Sequence, residues 1–229
     1  EAKKCLVKKG ISPDKIFIIP HGSNILAGTS EEPKLLEPLW NTWQSNYTIF
    51  QPGFLFDYKG HMRMLDIVAK LKEHYPDVHY IIQGSENPNT MREHDALFAR
   101  IITKAQELDI VDNITINRGF IHQNLLLSHI RTVKCCVLPY EMNPDHNVMG
   151  TSGIARLIVG TETPLIVSNV HLFDDLEDTV IKCSTDEEIY LTIKNIFESD
   201  EIKSKQIKAR KRFLLETNWN KVANKLLSL

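Results

Sequence analysis

The sequence alternates between short apolar runs and longer stretches in which apolar positions recur at helical spacing. Six apolar runs are rich in β-branched residues, and most of them end at a glycine or a proline; they cover residues 16–19, 47–50, 78–82, 114–116, 133–138 and 165–167. Several of these runs lack the alternation of apolar and polar residues that a half-exposed strand shows. This pattern predicts strands that are buried on both faces.

Between the runs, apolar residues repeat at positions i, i+3, i+4 and i+7, which is typical of an amphipathic helix. Three such stripes comprise Met64, Ile67, Val68, Leu71; Leu97, Ile101, Ala105, Leu108; and Ile189, Ile193, Ile196, Phe197. Thr185 and Glu188 form a capping-box pattern before the third stripe. The alternation of strands and helices predicts an α/β fold, a Rossmann-like open parallel sheet with helices on both faces.

Three segments are predicted along the chain. Residues 1–45 are read as an entry segment and linker, residues 46–200 as the α/β domain, and residues 201–229 as C-terminal helices. The sequence begins at Glu1, without a methionine and inside a helical pattern. We therefore expect it to be part of a longer protein with another domain upstream.

Composition narrows the class of protein. The chain has 229 residues, of which 42% are hydrophobic, and 27 Lys and Arg against 29 Asp and Glu give a net charge of −2. This balance argues against a nucleic-acid partner, because such proteins usually carry a basic excess. The four cysteines lack zinc or redox spacing, which favours a reducing, cytoplasmic location. No apolar run reaches the ~20 residues that span a bilayer, so membrane contact, if any, is expected to be peripheral.

In an open parallel sheet, ligands bind beyond the carboxyl ends of the strands, so the turns after the strands are the candidate sites. The first such turn, residues 53–60, begins at Gly53 and brings Lys59 to a loop–helix junction. A cation beside free amide groups at a helix start suits a diphosphate. The alternative is a solvated lysine in a glycine turn.

The second turn is Gly150-Thr151-Ser152-Gly153, directly before a predicted helix. Its glycines let the backbone approach a ligand closely, and Ser152 can donate to a phosphate or cap the helix. An ordinary N-cap is the alternative for this turn. Two such turns after different strands of one sheet together favour phosphate binding.

Two further turns are candidates for the rest of a ligand. A base could stack on Phe120 and bond to neighbouring groups, the set being Arg118, Gly119, Phe120 and Ile121, unless Phe120 lies in the core. The polar loop after residue 140 offers Glu141, Asp145 and His146 as candidates for sugar contacts, although a histidine in a loop is more often solvated.

Several well-known motifs are missing from the sequence. The phosphate loop Gly-x-x-x-x-Gly-Lys-Ser/Thr, the Gly-x-Ser-x-Gly elbow, His-Glu-x-x-His and Gly-x-Gly-x-x-Gly are all absent. The acidic run Asp174-Asp175-Leu176-Glu177 is interpreted as surface because apolar residues flank it. We predict neither a metal site nor a resident cofactor.

Taken in order, these turns resemble the C-terminal domain of the GT-B glycosyltransferases of family 4, also called group 1. The similar elements are residues 16–24, 50–66, 78–84, 114–120, 136–140, 150–168 and 186–197, within a match over roughly residues 10–225. No single element is decisive, but the ordered series is specific to the family.

The resemblance implies a nucleotide-sugar-binding domain. Lys59 and Gly53 with Thr151, Ser152 and Gly153 would hold the donor diphosphate, the Phe120 turn would lie beside the base, and no metal would be needed. Transfer would proceed with retention, to a glycan or a lipid-linked acceptor held largely by the N-terminal domain. The catalytic residues are therefore unknown, and this domain alone is expected to be inactive.

The sequence departs from the family pattern at three positions. Phe54 stands where many members carry arginine, and Met149 and Leu157 stand where many carry glutamates that contact the sugar and the ribose. Other polar groups could replace these contacts, the chain could belong to a divergent branch, or donor binding could be weak. A degenerate scaffold module and a sugar-nucleotide epimerase are the competing hypotheses.

Overall fold

The computed structural model describes residues 2–23, 47–85, 91–141 and 150–228. Within these ranges six parallel strands form one sheet in the order β3-β2-β1-β4-β5-β6. The strands are β1 (Thr48–Phe54), β2 (His79–Ser85), β3 (Ile114–Asn117), β4 (Cys135–Leu138), β5 (Leu165–Ser168) and β6 (Ile181–Cys183). This topology confirms the predicted Rossmann-like sheet.

Helices cover both faces of the sheet, and α2, α3, α4 and α5 each connect two successive strands. They are α1 (Ala2–Lys8), α2 (His61–Lys72), α3 (Met91–Glu107), α4 (Gln123–Thr132), α5 (Gly153–Val159), α6 (Asp186–Glu198), α7 (Glu201–Thr217) and α8 (Trp219–Leu227). Short 3-10 turns occupy Pro13–Lys15, Asp57–Lys59, Val111–Asn113 and His171–Thr179. None of the described helices has the length and apolar character needed to cross a membrane.

Neighbouring residues of each central strand bury their side chains on opposite faces, because the side-chain period of a strand is two. Ile49 belongs to the core cluster beneath α2, α3 and α6, whereas Phe50 belongs to the cluster formed with α4, α5 and α7. Cys135 and Cys136 divide in the same way. The uninterrupted apolar runs are therefore explained by burial on two faces.

The predicted amphipathic stripes face the core. Met64, Ile67, Val68 and Leu71 of α2 are all buried. In the second stripe, Leu97, Ile101 and Ala105 of α3 are buried, and Leu108, one residue beyond α3, is partly buried against the same cluster. Those of α6 are also buried, and the Thr185 hydroxyl accepts from the Glu188 amide at 3.1 Å, as the capping-box pattern predicts.

Two strand assignments differ from the sequence prediction. Residues 16–19 form no strand, and Phe17 and Ile18 are 59% and 63% exposed, because this segment lies outside the sheet and has no neighbouring strand to pair with. The edge strand β6 was not predicted. Its three residues are too few to give a periodic signal, and only Cys183 is fully buried.

Two buried polar side chains fix helix α7 to the amino ends of β5 and β6. Gln206 pairs with the backbone of Leu165, donating to its carbonyl at 3.0 Å and accepting from its amide at 3.2 Å. The guanidinium of Arg210 donates to the carbonyls of Thr161, Thr163 and Thr179 at 3.1, 2.6 and 2.9 Å. Burial lowers the pKa of Arg210 to about 10, so it remains charged at neutral pH.

Replacing Arg210 tests this attachment. We expect Arg210→Met to lower the free energy of unfolding by about 3 kcal/mol, because three buried carbonyls would lose their donor. Chemical denaturation with circular dichroism measures the change. The control is Arg212→Met on the exposed side of the same helix, which should stay within about 0.5 kcal/mol of the parent. Equal effects of the two substitutions would contradict the assignment.

Candidate functional site

The candidate site is a cleft at the carboxyl ends of β1 and β4. These two strands are neighbours in the sheet. After β1 the chain proceeds to β2 on one side, and after β4 it proceeds to β5 on the other side, so an opening remains between the two connections. Ligands bind in such an opening in folds of this kind. The cleft measures about 390 Å³, and its walls are formed by Pro52, Gly53, Phe54, Tyr58, Lys59, Gln83, Gly119, Phe120, Ile121, Leu126, Tyr140, Thr151, Ser152, Gly153, Ile154 and Leu172.

Lys59 ends the 3-10 turn between β1 and α2, and the next residue explains the position of that turn. Gly60 has a φ of 74°, in the left-handed region that favours glycine. A Cβ atom at Gly60 would lie 1.9 Å from the carbonyl oxygen of Pro139. The glycine therefore lets the lysine turn pack against the end of β4.

A chain of buried polar side chains supports the same turn from below. The amide of Gln51 donates to the backbone carbonyl of Lys59 at 2.8 Å, and the hydroxyl of Tyr80 donates to the Gln51 side-chain oxygen. His61 Nδ1 lies 3.4 Å from the same hydroxyl. Burial and the nearby Lys59 charge lower the pKa of His61 to about 3, so this histidine is neutral and adds no charge to the site.

The ammonium of Lys59 lies in an aromatic environment. Its Nζ donates to the Tyr140 hydroxyl at 2.7 Å and lies 3.9 Å and 4.9 Å from the ring centroids of Tyr140 and Tyr58. Burial lowers the pKa of Lys59 to about 8. Among the residues described, it has no ion-pair partner.

Tyr140 connects the two turns that the sequence singles out for phosphate. Its hydroxyl, which bonds Lys59, also lies 3.5 Å from the Oγ atom of Ser152. Ser152 is the N-cap of α5 and accepts from the Ala155 amide at 3.4 Å, and Gly153 beside it also lines the cleft. The ammonium and the glycine–serine loop, residues 150–153, therefore meet on one rim of the cleft.

The third predicted turn forms the opposite wall. Gly119, Phe120 and Ile121 line the cleft, and the Phe120 ring is 83% exposed, so it is not a core residue. The Gln83 side chain donates to the Gly119 carbonyl at 2.8 Å and thereby fixes this turn to β2.

Other predicted residues lie away from this lining. Arg118 pairs with Asp95, and its guanidinium lies 4.8 Å from the ring of Phe98, so it contacts α3 instead of the cleft. Glu141 is exposed, and its backbone amide donates to the Tyr58 carbonyl at 2.7 Å. Asp145 and His146 lie outside the described residues, as does Met149. Leu157 is half-buried against the core cluster that includes α5.

Sequence reasoning missed the residues that hold the site together, chiefly Gln51, Tyr58, Gln83 and Tyr140. One signal was available, because Gln51 and Gln83 are polar residues within otherwise apolar strands, close to the carboxyl ends. Tyr140 gave no such signal. Its role depends on its contact with Lys59, which lies 81 residues earlier in the chain.

The charge of the cleft follows from this inventory. Among the described residues that line it, Lys59 is the only charged one, and no carboxylate is present. The remaining lining is mainly apolar and aromatic. A cation in such surroundings is stabilised by a bound anion, because the low local dielectric strengthens the attraction. The cleft is therefore suited to an anionic ligand that also has a planar or apolar part.

No family model matches the sequence, and neither does any curated protein. Solved structures share its fold. A glycosyltransferase from Rickettsia africae ESF-5 has a TM-score of 0.79 at 18% identity, over 99% of this chain and 60% of its own. A UDP-forming α,α-trehalose-phosphate synthase from Burkholderia xenovorans has a TM-score of 0.73 at 14% identity, over 92% of this chain and 50% of its own.

A third likeness concerns an isolated domain. The C-terminal domain of a glycosyl transferase group 1 family protein from Francisella tularensis has a TM-score of 0.60 at 13% identity, over 79% of this chain and 92% of that domain. The predicted fold, that of a C-terminal GT-B domain, is confirmed. The chain spans about three fifths and half of the two longer proteins.

The environment of Lys59 predicts a specific pH dependence. We expect the rate of Lys59 modification by an amine reagent, followed by peptide mass spectrometry, to reach half its maximum near pH 8. In the urea-unfolded chain the midpoint should move to the ordinary value of 10.5. The unfolded chain then binds more protons between these values, so Lys59 makes the free energy of unfolding rise with pH across that window. Identical midpoints in both states would contradict the burial of this amine.

Proposed function

We propose that this chain is the donor-binding domain of a glycosyltransferase and that its cleft binds a nucleotide-diphosphate sugar. The observation that carries the proposal is the Lys59 ammonium, which is the only charged group on the described lining of the cleft and lies on the same rim as Ser152. The fold shared with solved glycosyltransferases supports the same conclusion.

The diphosphate is the part of the ligand that this rim fits best. A half-buried ammonium without a carboxylate partner gains most from a ligand of negative charge. The Ser152 Oγ accepts from a backbone amide, which leaves its own proton free to donate. Thr151 lies beside it on the lining with a second hydroxyl. One cation and two hydroxyls can thus share the phosphate oxygens.

The opposite wall is suited to the nucleoside. The exposed ring of Phe120 offers a face on which a base can stack, and base–aromatic stacking contributes about 1–3 kcal/mol per base. Gly119 exposes backbone on the same wall without a side chain that would fill it. Both walls border the same cleft of about 390 Å³, so a single nucleotide can contact both.

In transfer, the role of this rim is to stabilise the leaving group. Negative charge grows on the diphosphate as its bond to the sugar breaks, and Lys59 is already positioned for it, so little reorganisation is required. The acceptor, a glycan or a lipid-linked sugar, and the remaining catalytic groups would be supplied by the rest of a longer protein. We propose that transfer proceeds with retention and that the chain alone binds the donor without transferring it.

A non-catalytic binding module is the second candidate. Leu157, at a position where many family members carry a glutamate, packs with the apolar core cluster. No described residue of the cleft lining carries a carboxylate that could bond sugar hydroxyls. The same lack gives no support to the epimerase hypothesis, which requires catalytic carboxylates and a histidine in the cleft.

A thermal-shift panel separates these functions. We expect at least one nucleoside diphosphate sugar to stabilise the chain, by about 2.7 kcal/mol at roughly 100 times its Kd. The matching nucleoside monophosphates should stabilise it less, because they lack the second phosphate near Lys59. The panel comprises uridine, guanosine and adenosine derivatives. No response to any nucleotide would favour the scaffold module.

Substitution of the lysine tests the diphosphate contact directly. We expect Lys59→Ala to weaken binding of the responding sugar nucleotide at least tenfold in titration calorimetry, equivalent to about 1.4 kcal/mol. Lys70→Ala is the matched control, because Lys70 also lies over a tyrosine ring, that of Tyr190 at 4.0 Å, but pairs with Glu187 on the outer surface. Equal affinities of Lys59→Ala and the parent would refute the contact.

A further inference from the structure

Within the predicted entry segment, residues 20–23 lie outside the sheet but are anchored at the junction of α7 and α8. The Ser23 amide donates to the Thr217 carbonyl at 2.9 Å, and Ser23 forms an isolated parallel bridge with Asn218. A Cβ atom at Gly22 would lie 2.3 Å from the Trp219 ring, so this approach requires a glycine. The segment is therefore held by elements that are remote from the cleft in sequence.

The same segment reaches the glycine–serine loop. His21 Nδ1 lies 2.7 Å from the Gly22 carbonyl, and because a carbonyl only accepts, Nδ1 carries a hydrogen and donates it. The other ring nitrogen, Nε2, faces the glycine–serine loop. A Cβ atom at Gly153 would meet that Nε2 at 4.0 Å. The histidine thus borders the loop at the end where α5 begins.

Arg156 of α5 connects the loop to the entry segment directly. Its side chain is 2% exposed. Its Nε donates to the Thr151 hydroxyl at 3.2 Å, and its Nη1 donates to the Ser23 hydroxyl at 3.3 Å. Its Nη2 pairs with Asp175, and Phe213 of α7 lies 5.5 Å from the guanidinium. One buried group therefore bonds the cleft loop, the entry segment and the segment after β5.

The first part of the loop needs such a support, because the cap that Ser152 forms on α5 fixes only its last part. Gly150 has a φ of 136°, and in the described part of the chain nothing lies within 4 Å of its Cβ position, whereas Gly153 is the first residue of α5. The glycine at the start of the loop leaves many conformations accessible. The guanidinium is a planar fork with donors in fixed directions, so bonds to Thr151 and Ser23 restrict the loop to one arrangement.

We propose that Arg156 is a positioning residue that holds the glycine–serine loop in the shape that receives the diphosphate. In this proposal, the bond from Arg156 to the Ser23 hydroxyl fixes the position of the guanidinium. The affinity of the cleft then depends on a segment that contributes no lining residue. This inference rests on the proposed function for the identity of the ligand. The contacts of Arg156 with Thr151, Ser23 and Asp175 are independent of that function.

The first test is independent of any ligand. Threonine methyl NMR of the parent should show a high order parameter for Thr151, and Ser23→Ala should lower it by about half, because the guanidinium loses one of its two hydroxyl partners. The methyl of Thr163 is the internal control. The Thr163 hydroxyl donates to the Ile130 carbonyl at 2.6 Å, and Thr163 is not among the residues that Arg156 bonds. The control variant is Ser12→Ala, which removes a surface bond to Asp14. An unchanged Thr151 methyl in Ser23→Ala would overturn the proposal.

The second test uses inorganic pyrophosphate as the probe. We expect Ser23→Ala to weaken its binding about threefold and Arg156→Lys about tenfold, while adding Ser23→Ala to Arg156→Lys changes nothing further. Equal effects of Ser23→Ala in both backgrounds would overturn the proposal, because Ser23 would then act without Arg156. If the parent binds no pyrophosphate, the diphosphate assignment fails, and the Thr151 methyl decides the positioning role alone.

Discussion

The site depends on one electrostatic constraint: the ammonium group of Lys59 is held in a largely apolar cleft, and no residue of the described cleft lining carries a carboxylate. Removing a charge from water without pairing it is unfavourable, and the lowered pKa of Lys59 reflects this cost. The rings of Tyr58 and Tyr140 and the Tyr140 hydroxyl compensate for part of the lost hydration. These groups supply no opposite charge, which an anionic ligand would supply.

The fold delivers this constraint by bringing distant parts of the chain to one edge. Because β1 and β4 are neighbours in the sheet, the turns that follow them meet even though Lys59 and Tyr140 are 81 residues apart. Gly60 permits the close packing of the two turns, and Gln51 fixes the lysine turn from within β1. A rigid scaffold of this kind holds a charged group in place at little entropic cost when the ligand binds.

The parts of this arrangement that the sequence predicted are those with a periodic or local signal. The central strands and the amphipathic helices follow from burial on one or two faces, and Lys59 and Ser152 follow from their place after strands. The exposed residues Phe17 and Ile18 misled the strand prediction, because an apolar run indicates burial only when a partner strand is available. Pairings between distant residues, such as that of Gln206 with Leu165, leave no periodic signal.

The fold decides where the cleft lies, whereas the side chains around it decide its chemistry. At 13–18% identity, the solved glycosyltransferases share the fold whose strand ends define the cleft in this chain. In this chain Leu157 is half-buried against the core at a position where many members of the similar family carry a glutamate, so that position offers no carboxylate to a ligand. Under the proposed function, the rim formed by Lys59 and Ser152 would carry a larger share of ligand recognition, and fewer groups on the described lining would distinguish one sugar from another. Recognition that depends mainly on charge is sensitive to the position of the loop beside Lys59, which is why the proposed positioning role of the buried Arg156 would matter to the site.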